Sequence, residues 1–305
     1  MTTGVLLMTY GAARTPEEVP EYLQTVYKGN APQELIDDFV ERCRLVGGSP
    51  LVEITKGQAT ALEEHLGAGY RVEAGMRHTE PFISAGVERL ARDGVDRIIA
   101  IVMSPQYSPH IMGGYLTEVE EAHRRVCPDV GLQVAGPWHD LPSFLDALAG
   151  KVRDALDKVP AEERDSVPVL LTSHSLPERV VEREHDYLEQ MRATAEGVVE
   201  RVGLGDRWRW AYQSAGHSPE PWLQPDMRDL LPGIAAEGHS RVLMVPVQFL
   251  ADHLETLYDI DVAGAEEAEE CGLVFQRIEM FNTDESFIAV LGAVVRREES
   301  TVPAG

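Results

Sequence analysis

Short apolar runs bounded by turn residues alternate along the chain with longer amphipathic stretches. The apolar runs are rich in Val, Ile and Leu, which is typical of strands buried on both faces. They are Val5–Thr9, Arg97–Met103, Val169–Thr172 and Arg241–Val247. The amphipathic stretches have the period of a helix; they are Glu34–Leu45, Gly57–Leu66, Ile83–Arg92, Tyr115–Val126 and Leu188–Val202. This alternation predicts an α/β protein with mainly parallel sheets.

The pattern also repeats, because three segments of the first half have counterparts, in the same order, in the second half. The pairs are VLLMTYG with VLLTSHS, HTEPF with HSPEPW, and the apolar run after Asp93-Gly94 with the run after Glu237-Gly238. We therefore predict two similar Rossmann-like halves, residues 1–140 and 141–305, with a ligand cleft between them. The C-terminal helix is expected to pack back on the first half.

Charge and cysteine content narrow the class of protein. The formal net charge is −24, which excludes the basic footprint that nucleic-acid binding requires. No apolar run approaches the roughly 20 residues that span a bilayer, so no integral membrane association is predicted. The three cysteines are scattered and form no CxxC motif, which favours a reducing cytoplasm over a disulfide framework.

One histidine stands directly after a predicted buried strand. In SHSLPE, His174 is expected at the carboxyl end of that strand, where open α/β sheets bind ligands. An imidazole titrates near neutrality, so it can accept a proton or bind a metal; the alternative is a structural histidine at a strand end. Tyr10 takes the corresponding place in the first half, where it either makes a structural hydrogen bond or contacts a metal.

The acidic segment DHLETLYD follows the last predicted strand. As an α-helix it places Asp252, Glu255 and Asp259 on one face, at i, i+3 and i+7. Such a face is either solvated or occupied by a divalent cation. One nitrogen from His174 and one oxygen from Glu255 make a loose site with open positions, which suits Fe²⁺ in transit better than a structural metal.

A group of basic and hydroxylic side chains near the N-terminus contrasts with the acidic remainder of the chain. It includes Tyr27, Arg42 and Ser49. Arginine suits bidentate recognition of carboxylates, whereas the alternative is ordinary charge on a helix surface. The GGSPL segment that contains Ser49 predicts a loop whose backbone can approach a ligand closely.

Taken together, these motifs resemble the ferrochelatase family, and within it the soluble bacterial branch that uses coproporphyrin III. The matching segments run in the family's order over nearly the whole chain; they are LLMTYG, GGSPL, RHTEPF, SHSLPE, PWLQPD and DHLETLYD. SHSLP and DHLETLYD are specific in combination. The resemblance implies two halves of the class II chelatase type and insertion of Fe²⁺ into coproporphyrin III, giving coproheme, in haem biosynthesis.

The resemblance also implies roles for individual residues. His174 and Glu255 become the catalytic pair at the iron site, with the histidine as proton acceptor or metal carrier. Asp259 lies further along the metal path, so the implied metal contacts are His174, Glu255 and Asp259. Tyr10 matches the tyrosine that binds product iron. The implied porphyrin contacts are Tyr10, Tyr27, Arg42, Ser49 and Tyr115.

No prosthetic group is implied, because Fe²⁺ and porphyrin are substrates and haem is the product. Transient contact with neighbouring haem-pathway enzymes is also expected. The chain departs from the family pattern at Tyr27, where relatives often have arginine, and at Ala263, where the metal path has an acidic residue. Four alternatives stay open at this point. They are a ferrochelatase that uses protoporphyrin IX, a related chelatase that acts on another tetrapyrrole or on cobalt, a haem-binding or trafficking protein without turnover, and a two-lobed small-molecule binding module.

Overall fold

The computed structural model describes residues 2–216 and 219–301, which form two compact units. Unit 1 contains residues up to 137, residues 251–254 and the C-terminal segment from residue 281. Unit 2 contains residues 138–250 and 255–280. The chain therefore returns to unit 1 twice after leaving it.

Unit 1 is built on a four-stranded parallel sheet with strand order β2-β1-β3-β4. Its strands are β1 (Thr3–Thr9), β2 (Tyr70–Met76), β3 (Arg97–Val102) and β4 (Gly131–Val134). Every residue of β1 is buried, because the strand carries apolar side chains towards both faces of the sheet. The helices of this unit are α1 (Val19–Val26), α2 (Gln33–Val46), α3 (Leu51–Leu66), α4 (Ile83–Arg92), α5 (Pro109–Val126) and α12 (Glu285–Thr301), and a 3₁₀ turn at Pro16–Glu18 precedes α1.

The C-terminal helix α12 packs against α3 and is tied to the sheet by two carboxylates. Glu299 forms an ion pair with Arg97 and accepts a hydrogen bond of 3.0 Å from the Tyr70 hydroxyl. The amide of Gln133 donates to Glu298 Oε2 at 2.6 Å. Residues from β2, β3 and β4 are thus bound to the last helix of the chain.

Unit 2 repeats the same architecture, with strand order β6-β5-β7-β8 and all neighbours parallel. Its strands are β5 (Val169–His174), β6 (Trp208–Gln213), β7 (Arg241–Pro246) and β8 (Val274–Arg277). Its helices are α6 (Pro142–Asp157), α7 (Ala161–Arg164), α8 (Glu178–Val181), α9 (His185–Val202), α10 (Met227–Ala236), a π-helix (Glu255–Gly264) and α11 (Ala265–Glu270). Among the described residues, no helix is both long and apolar enough to cross a bilayer.

The two sheets agree in register as well as in strand order. Val5 lies opposite Ile99 in the first sheet, and Val169 lies opposite Leu243 in the second. Val5 and Val169 are the first residues of the repeated segments VLLMTYG and VLLTSHS, and Ile99 and Leu243 are each the third residue of their strand. The predicted similarity of the two halves is therefore confirmed, down to the pairing of individual strand residues.

One of the predicted repeat pairs is wrong. The Met76 N–H at the end of β2 donates to the Pro81 carbonyl at 2.8 Å, and the Tyr212 N–H in β6 donates to the Pro225 carbonyl at 2.8 Å. The structural counterpart of HTEPF is therefore the segment that ends at Asp226, and not HSPEPW. Residues 217 and 218, the first two of HSPEPW, lie outside the described residues. Pro225, and not Pro221, is thus the counterpart of Pro81.

Candidate active site

Each sheet reverses its strand order next to its first strand, between β1 and β3 in unit 1 and between β5 and β7 in unit 2. In open parallel sheets, ligands bind beyond the carboxyl ends of the strands at such a switch point. Tyr10 directly follows β1, and His174 is the last residue of β5. Each unit therefore presents one of the two predicted residues at its own switch point.

In unit 2, the imidazole of His174 lies beside the carboxylate of Glu255. The distance between His174 Nε2 and Glu255 Oε2 is 3.5 Å, although the two residues are far apart in the sequence. Their side chains are 30% and 39% exposed, so both groups can be reached from solvent while keeping protein on one side. A base and a carboxylate at this distance can share a proton or hold a cation between them.

The other ring nitrogen of His174 determines which tautomer faces Glu255. Nδ1 contacts the carbonyl oxygen of Ser175, an acceptor, so Nδ1 carries the hydrogen and donates it. Nε2 of the neutral ring is then left with its lone pair. Ser175 is itself fixed, because its N–H donates to the Gln213 carbonyl at 2.7 Å and its hydroxyl donates to the Leu223 carbonyl at 3.1 Å.

A second contact holds the main chain of His174. Its N–H donates to the Oε1 atom of Gln248, just after β7, at 3.3 Å, and the amide of Gln248 donates to the hydroxyl of Tyr187. Tyr187 is buried, and burial raises the pKa of its hydroxyl well above the usual range. Tyr187 therefore remains protonated and acts as a rigid partner for Gln248.

Several polar atoms around His174 are buried without a hydrogen-bond partner in the described chain. They are Thr172 Oγ1, both amide atoms of Gln213, Ser214 Oγ and Glu255 Oε2. Gln213 lies opposite His174 in the β5–β6 register and is only 3% exposed. Leaving a buried polar group unpaired costs about 1–3 kcal/mol. This edge of the sheet therefore has the polarity of a ligand site rather than that of a packed core.

The segment that carries Glu255 differs from the prediction. It forms a π-helix that begins at Glu255, so its hydrogen bonds run from i to i+5 and its turns are wider than those of an α-helix. Asp252 precedes this helix and belongs to unit 1. There its N–H donates to Asn282 Oδ1 at 2.9 Å, and its carboxylate accepts from Asn282 Nδ2 at 2.8 Å. The predicted row of three carboxylates on one α-helical face is therefore wrong.

Among the described residues, no three His, Cys, Asp or Glu side chains come together closely enough to hold a metal ion. His174, Glu255 and Asp259 accordingly do not form a three-ligand set. His174 and Glu255 remain as a pair, one nitrogen and one oxygen donor, and a pair binds a divalent ion weakly compared with a structural site of about four ligands. Such weak binding suits an ion that is passed on.

In unit 1, Tyr10 is 40% exposed and packs against two neighbours that continue the β1–β2 pairing. The His78 N–H donates to the Tyr10 carbonyl at 3.0 Å, and the His78 ring lies against the phenol, with 4.5 Å between ring centroids. The guanidinium of Arg77 lies 5.9 Å from the Tyr10 ring centroid. Burial, assisted by the charge of Arg77, lowers the pKa of His78 to about 4, so this imidazole is neutral at neutral pH.

The remaining predicted porphyrin contacts differ in their surroundings. Tyr27 is 44% exposed at the end of α1. Arg42 on α2 forms an ion pair with Asp38 at 2.8 Å. Ser49 is buried, and its hydroxyl has no hydrogen-bond partner among the described residues. Tyr115 is buried in the core between α5 and the sheet, and burial raises its hydroxyl pKa above the usual range.

Sequence reasoning did not single out four residues of these two environments: Arg77, Gln213, Gln248 and Tyr187. Arg77 is the first residue of the RHTEPF segment, in which no local pattern marks it as a neighbour of Tyr10. Gln213 ends β6 and Gln248 follows β7, and both of these strands pair with β5. The position of the two glutamines beside His174 therefore depends on the strand order. The order β6-β5-β7 is set by the whole unit and is not visible in any local pattern.

The fold places the chain among known structures. It matches SirB from Bacillus subtilis with Fe³⁺, with a TM-score of 0.60 and 12% identity, over 99% of this chain and 98% of that chain. It also matches CbiX, described as the terminal enzyme of sirohaem biosynthesis in denitrifying bacteria, with a TM-score of 0.52 and 10% identity, over 97% of this chain and 99% of that chain. The chain therefore has the fold of the class II chelatases.

Sequence comparison then identifies the family. The ferrochelatase family model matches residues 2–299. The ferrochelatase of Herpetosiphon aurantiacus is 38% identical over 96% of this chain and 98% of its own length. The coproporphyrin III ferrochelatase of Geobacillus thermodenitrificans is 37% identical over 96% of this chain and 95% of its own length. The chain belongs to the ferrochelatase family, and it is a lyase-type metal chelatase of haem biosynthesis with Fe²⁺ and a porphyrin as substrates.

Proposed function

We propose that this ferrochelatase inserts Fe²⁺ into coproporphyrin III, with His174 as the proton acceptor and Glu255 as its electrostatic partner. The observation that carries the catalytic assignment is the distance of 3.5 Å between His174 Nε2 and Glu255 Oε2, with the Nε2 lone pair free to accept a proton. The substrate assignment is supported by the coproporphyrin III ferrochelatases among the relatives of similar identity.

The chemistry requires a base because a free porphyrin carries two pyrrole N–H groups. As Fe²⁺ enters, both N–H bonds break, iron binds the four ring nitrogens and two protons leave. Neutral His174 accepts the two protons one after the other at Nε2, becoming an imidazolium each time and passing the first proton to solvent before it accepts the second. The carboxylate of Glu255 at 3.5 Å then faces a positive charge, which stabilises the protonated ring until it returns the proton to solvent.

Iron delivery uses the same π-helix. Glu255 is the first residue of this helix. In the i to i+5 pattern of a π-helix, Glu255 is paired with Ile260, and Asp259 directly precedes that residue. We assign Asp259 to the approach of Fe²⁺ and Glu255 to its transfer, since neither residue is part of a closed metal site among the described residues. A loosely held ion can leave for the porphyrin without the loss of several strong bonds.

Tyr10 is assigned to the iron of the product, since phenolate oxygen is an established ligand of haem iron. Recognition of the porphyrin's carboxylates is assigned to Tyr27, Arg42 and Ser49. Arg42 is the charged member of this group, and the Ser49 hydroxyl still has its hydrogen-bonding capacity available. Tyr115 is buried beneath Arg77 and contributes to this region through packing. The three free cysteines are consistent with the proposed cytoplasmic location.

The test is anaerobic iron insertion with coproporphyrin III and protoporphyrin IX as competing substrates, followed by absorbance. We expect the larger kcat/KM with coproporphyrin III, which has four carboxylates rather than two. A larger value with protoporphyrin IX would assign the chain to the alternative substrate, and no turnover with either would contradict the proposal and favour the alternatives that do not insert iron into these porphyrins.

A pair of arginine variants tests the recognition of carboxylates. Arg42→Gln should raise KM for coproporphyrin III with a smaller effect on kcat, because a binding contact is lost. Arg44→Gln is the matched control on the same helix, where the side chain is 63% exposed and paired with Glu41. Equal KM values for the two variants would remove Arg42 from the substrate site.

A further inference from the structure

The side chain of Arg77, in unit 1, is held by contacts with specific neighbouring side chains. Its guanidinium lies 5.9 Å from the centroid of Tyr10 and 5.4 Å from that of Tyr115, both within the range of a cation–π contact. Its Nε donates to Glu118 Oε1 at 3.0 Å. Its side chain is 21% exposed. The cation is therefore surrounded mainly by two aromatic rings and a carboxylate, and only a minor part of the side chain is exposed to solvent.

The main chain explains why Arg77 reaches Tyr10. The Arg77 N–H donates to the Thr9 carbonyl at 3.0 Å, and the next N–H donates to the Tyr10 carbonyl at 3.0 Å. These two bonds extend the β1–β2 ladder beyond the end of both strands. The backbone of Arg77 is thus fixed beside that of Tyr10 before any side-chain contact is made.

Helix α5 supplies the space for the guanidinium. A Cβ atom built on Gly114 would lie 2.1 Å from Cζ and 2.2 Å from Nη2 of Arg77. The guanidinium therefore lies directly against the main chain of the helix at a position that only glycine leaves open. At the adjacent Gly113, a built Cβ meets no atom within 4 Å.

We propose that Arg77, seated on Gly114, is a positioning residue that holds the Tyr10 phenol in the orientation needed to ligate the iron of the product. This inference rests on the proposed function, in which Tyr10 is that ligand. The ring of His78 also packs against the phenol, with a ring-centroid distance of 4.5 Å and an interplanar angle of 55°, while Tyr10 keeps 40% of its surface exposed. The Arg77–Glu118 ion pair keeps the guanidinium from turning away from the two rings.

The two neighbouring glycines provide a matched experiment. Gly114→Ala leaves Tyr10 and Arg77 unchanged but displaces the guanidinium, whereas Gly113→Ala adds the same methyl group to the same helix in open space. Alanine is a better helix former than glycine, so neither change disfavours α5 itself. Arg77→Gln removes the cation, and Tyr10→Phe removes the ligand.

The measurement is the absorbance and resonance Raman spectrum of each full-length variant loaded with ferric coproporphyrin III. We expect Gly113→Ala to keep the tyrosinate-to-iron bands of the wild type, and Gly114→Ala and Arg77→Gln to lose most of their intensity, approaching Tyr10→Phe. Thermal unfolding of the same variants checks that each is folded.

Wild-type bands in both Gly114→Ala and Arg77→Gln, together with their loss in Tyr10→Phe, would overturn the inference and leave Tyr10 as the ligand. Bands that persist in Tyr10→Phe would overturn the Tyr10 assignment and this inference with it. Iron insertion by the wild type is measured separately, so failure of the proposed function is distinguishable from either result.

Discussion

The ion pair that forms between protonated His174 and Glu255 permits a quantitative prediction for Glu255→Gln. This substitution keeps the shape of the side chain and removes its charge. At 3.5 Å and an effective dielectric constant of about 20, the Coulomb energy of the pair is about 5 kcal/mol. The two side chains are 30% and 39% exposed, so solvent screening reduces this figure. We expect about 2–3 kcal/mol to be lost from the transition state, a roughly 30- to 150-fold slower chemical step.

The assay must isolate the chemical step, because product release limits many enzymes. Single-turnover iron insertion under anaerobic conditions gives the rate of metallation, and steady-state kinetics give KM for the porphyrin. The rate should fall while KM changes little, because the imidazolium forms only as the reaction proceeds. Glu266→Gln is the matched control: it removes the same charge from an exposed position in α11, just beyond the π-helix, and should leave the rate unchanged.

A single-turnover rate for Glu255→Gln within about twofold of the wild type would refute this reasoning, since an effect of that size is below 0.5 kcal/mol. An equal loss in Glu266→Gln would also refute it, because the effect would then come from the general negative field of the protein and not from the pair.

Three further predictions concern single side chains. His174→Ala should abolish iron insertion while circular dichroism and thermal unfolding stay close to the wild type; near-normal insertion would contradict its assignment as the base. His78 has a pKa of about 4 in the folded protein, below its ordinary value of 6.5. Between these two values the unfolded chain binds a proton that the folded chain does not. The free energy of unfolding therefore has its full value above pH 6.5 and falls as the pH drops towards 4. His78→Phe should therefore lose less of its free energy of unfolding over that range in denaturant titrations, and an unchanged pH dependence would count against the burial argument. Asn282→Gly keeps the positive φ of 49° but removes both hydrogen bonds to Asp252. We expect the free energy of unfolding to fall by about 1–3 kcal/mol in the same titrations. An unchanged free energy would show that this contact is weak.

The strands that sequence reasoning found and those it missed differ in one physical respect. The four predicted apolar runs became β1, β3, β5 and β7, the central strands of the two sheets. The four strands that it missed, β2, β4, β6 and β8, are all at sheet edges. A central parallel strand is buried on both faces and reads as a continuous apolar run. An edge strand such as WRWAYQ, β6, has a partner on one side only and mixes polar with apolar residues.

The pairing of His174 with Glu255 was predictable because two rare motifs stand at strand ends, where parallel sheets gather their ligands. The row of carboxylates was not predictable, since it assumed an α-helix where the chain forms a π-helix that starts at Glu255. The roles of Gln248 and Arg77 depend on hydrogen bonds between strands that are distant in sequence. Such contacts follow from strand order and register, which no local period contains.

The return of the chain to unit 1 has a consequence for its biogenesis. Of the two sheets, that of unit 1 is synthesised first, yet Arg97, Tyr70 and Gln133 meet their carboxylate partners only when Glu298 and Glu299 have emerged from the ribosome. The first sheet to be synthesised is thus among the last parts to be completed. A truncation before Glu298 would therefore leave Arg97, Tyr70 and Gln133, three residues of the first sheet, without these partners.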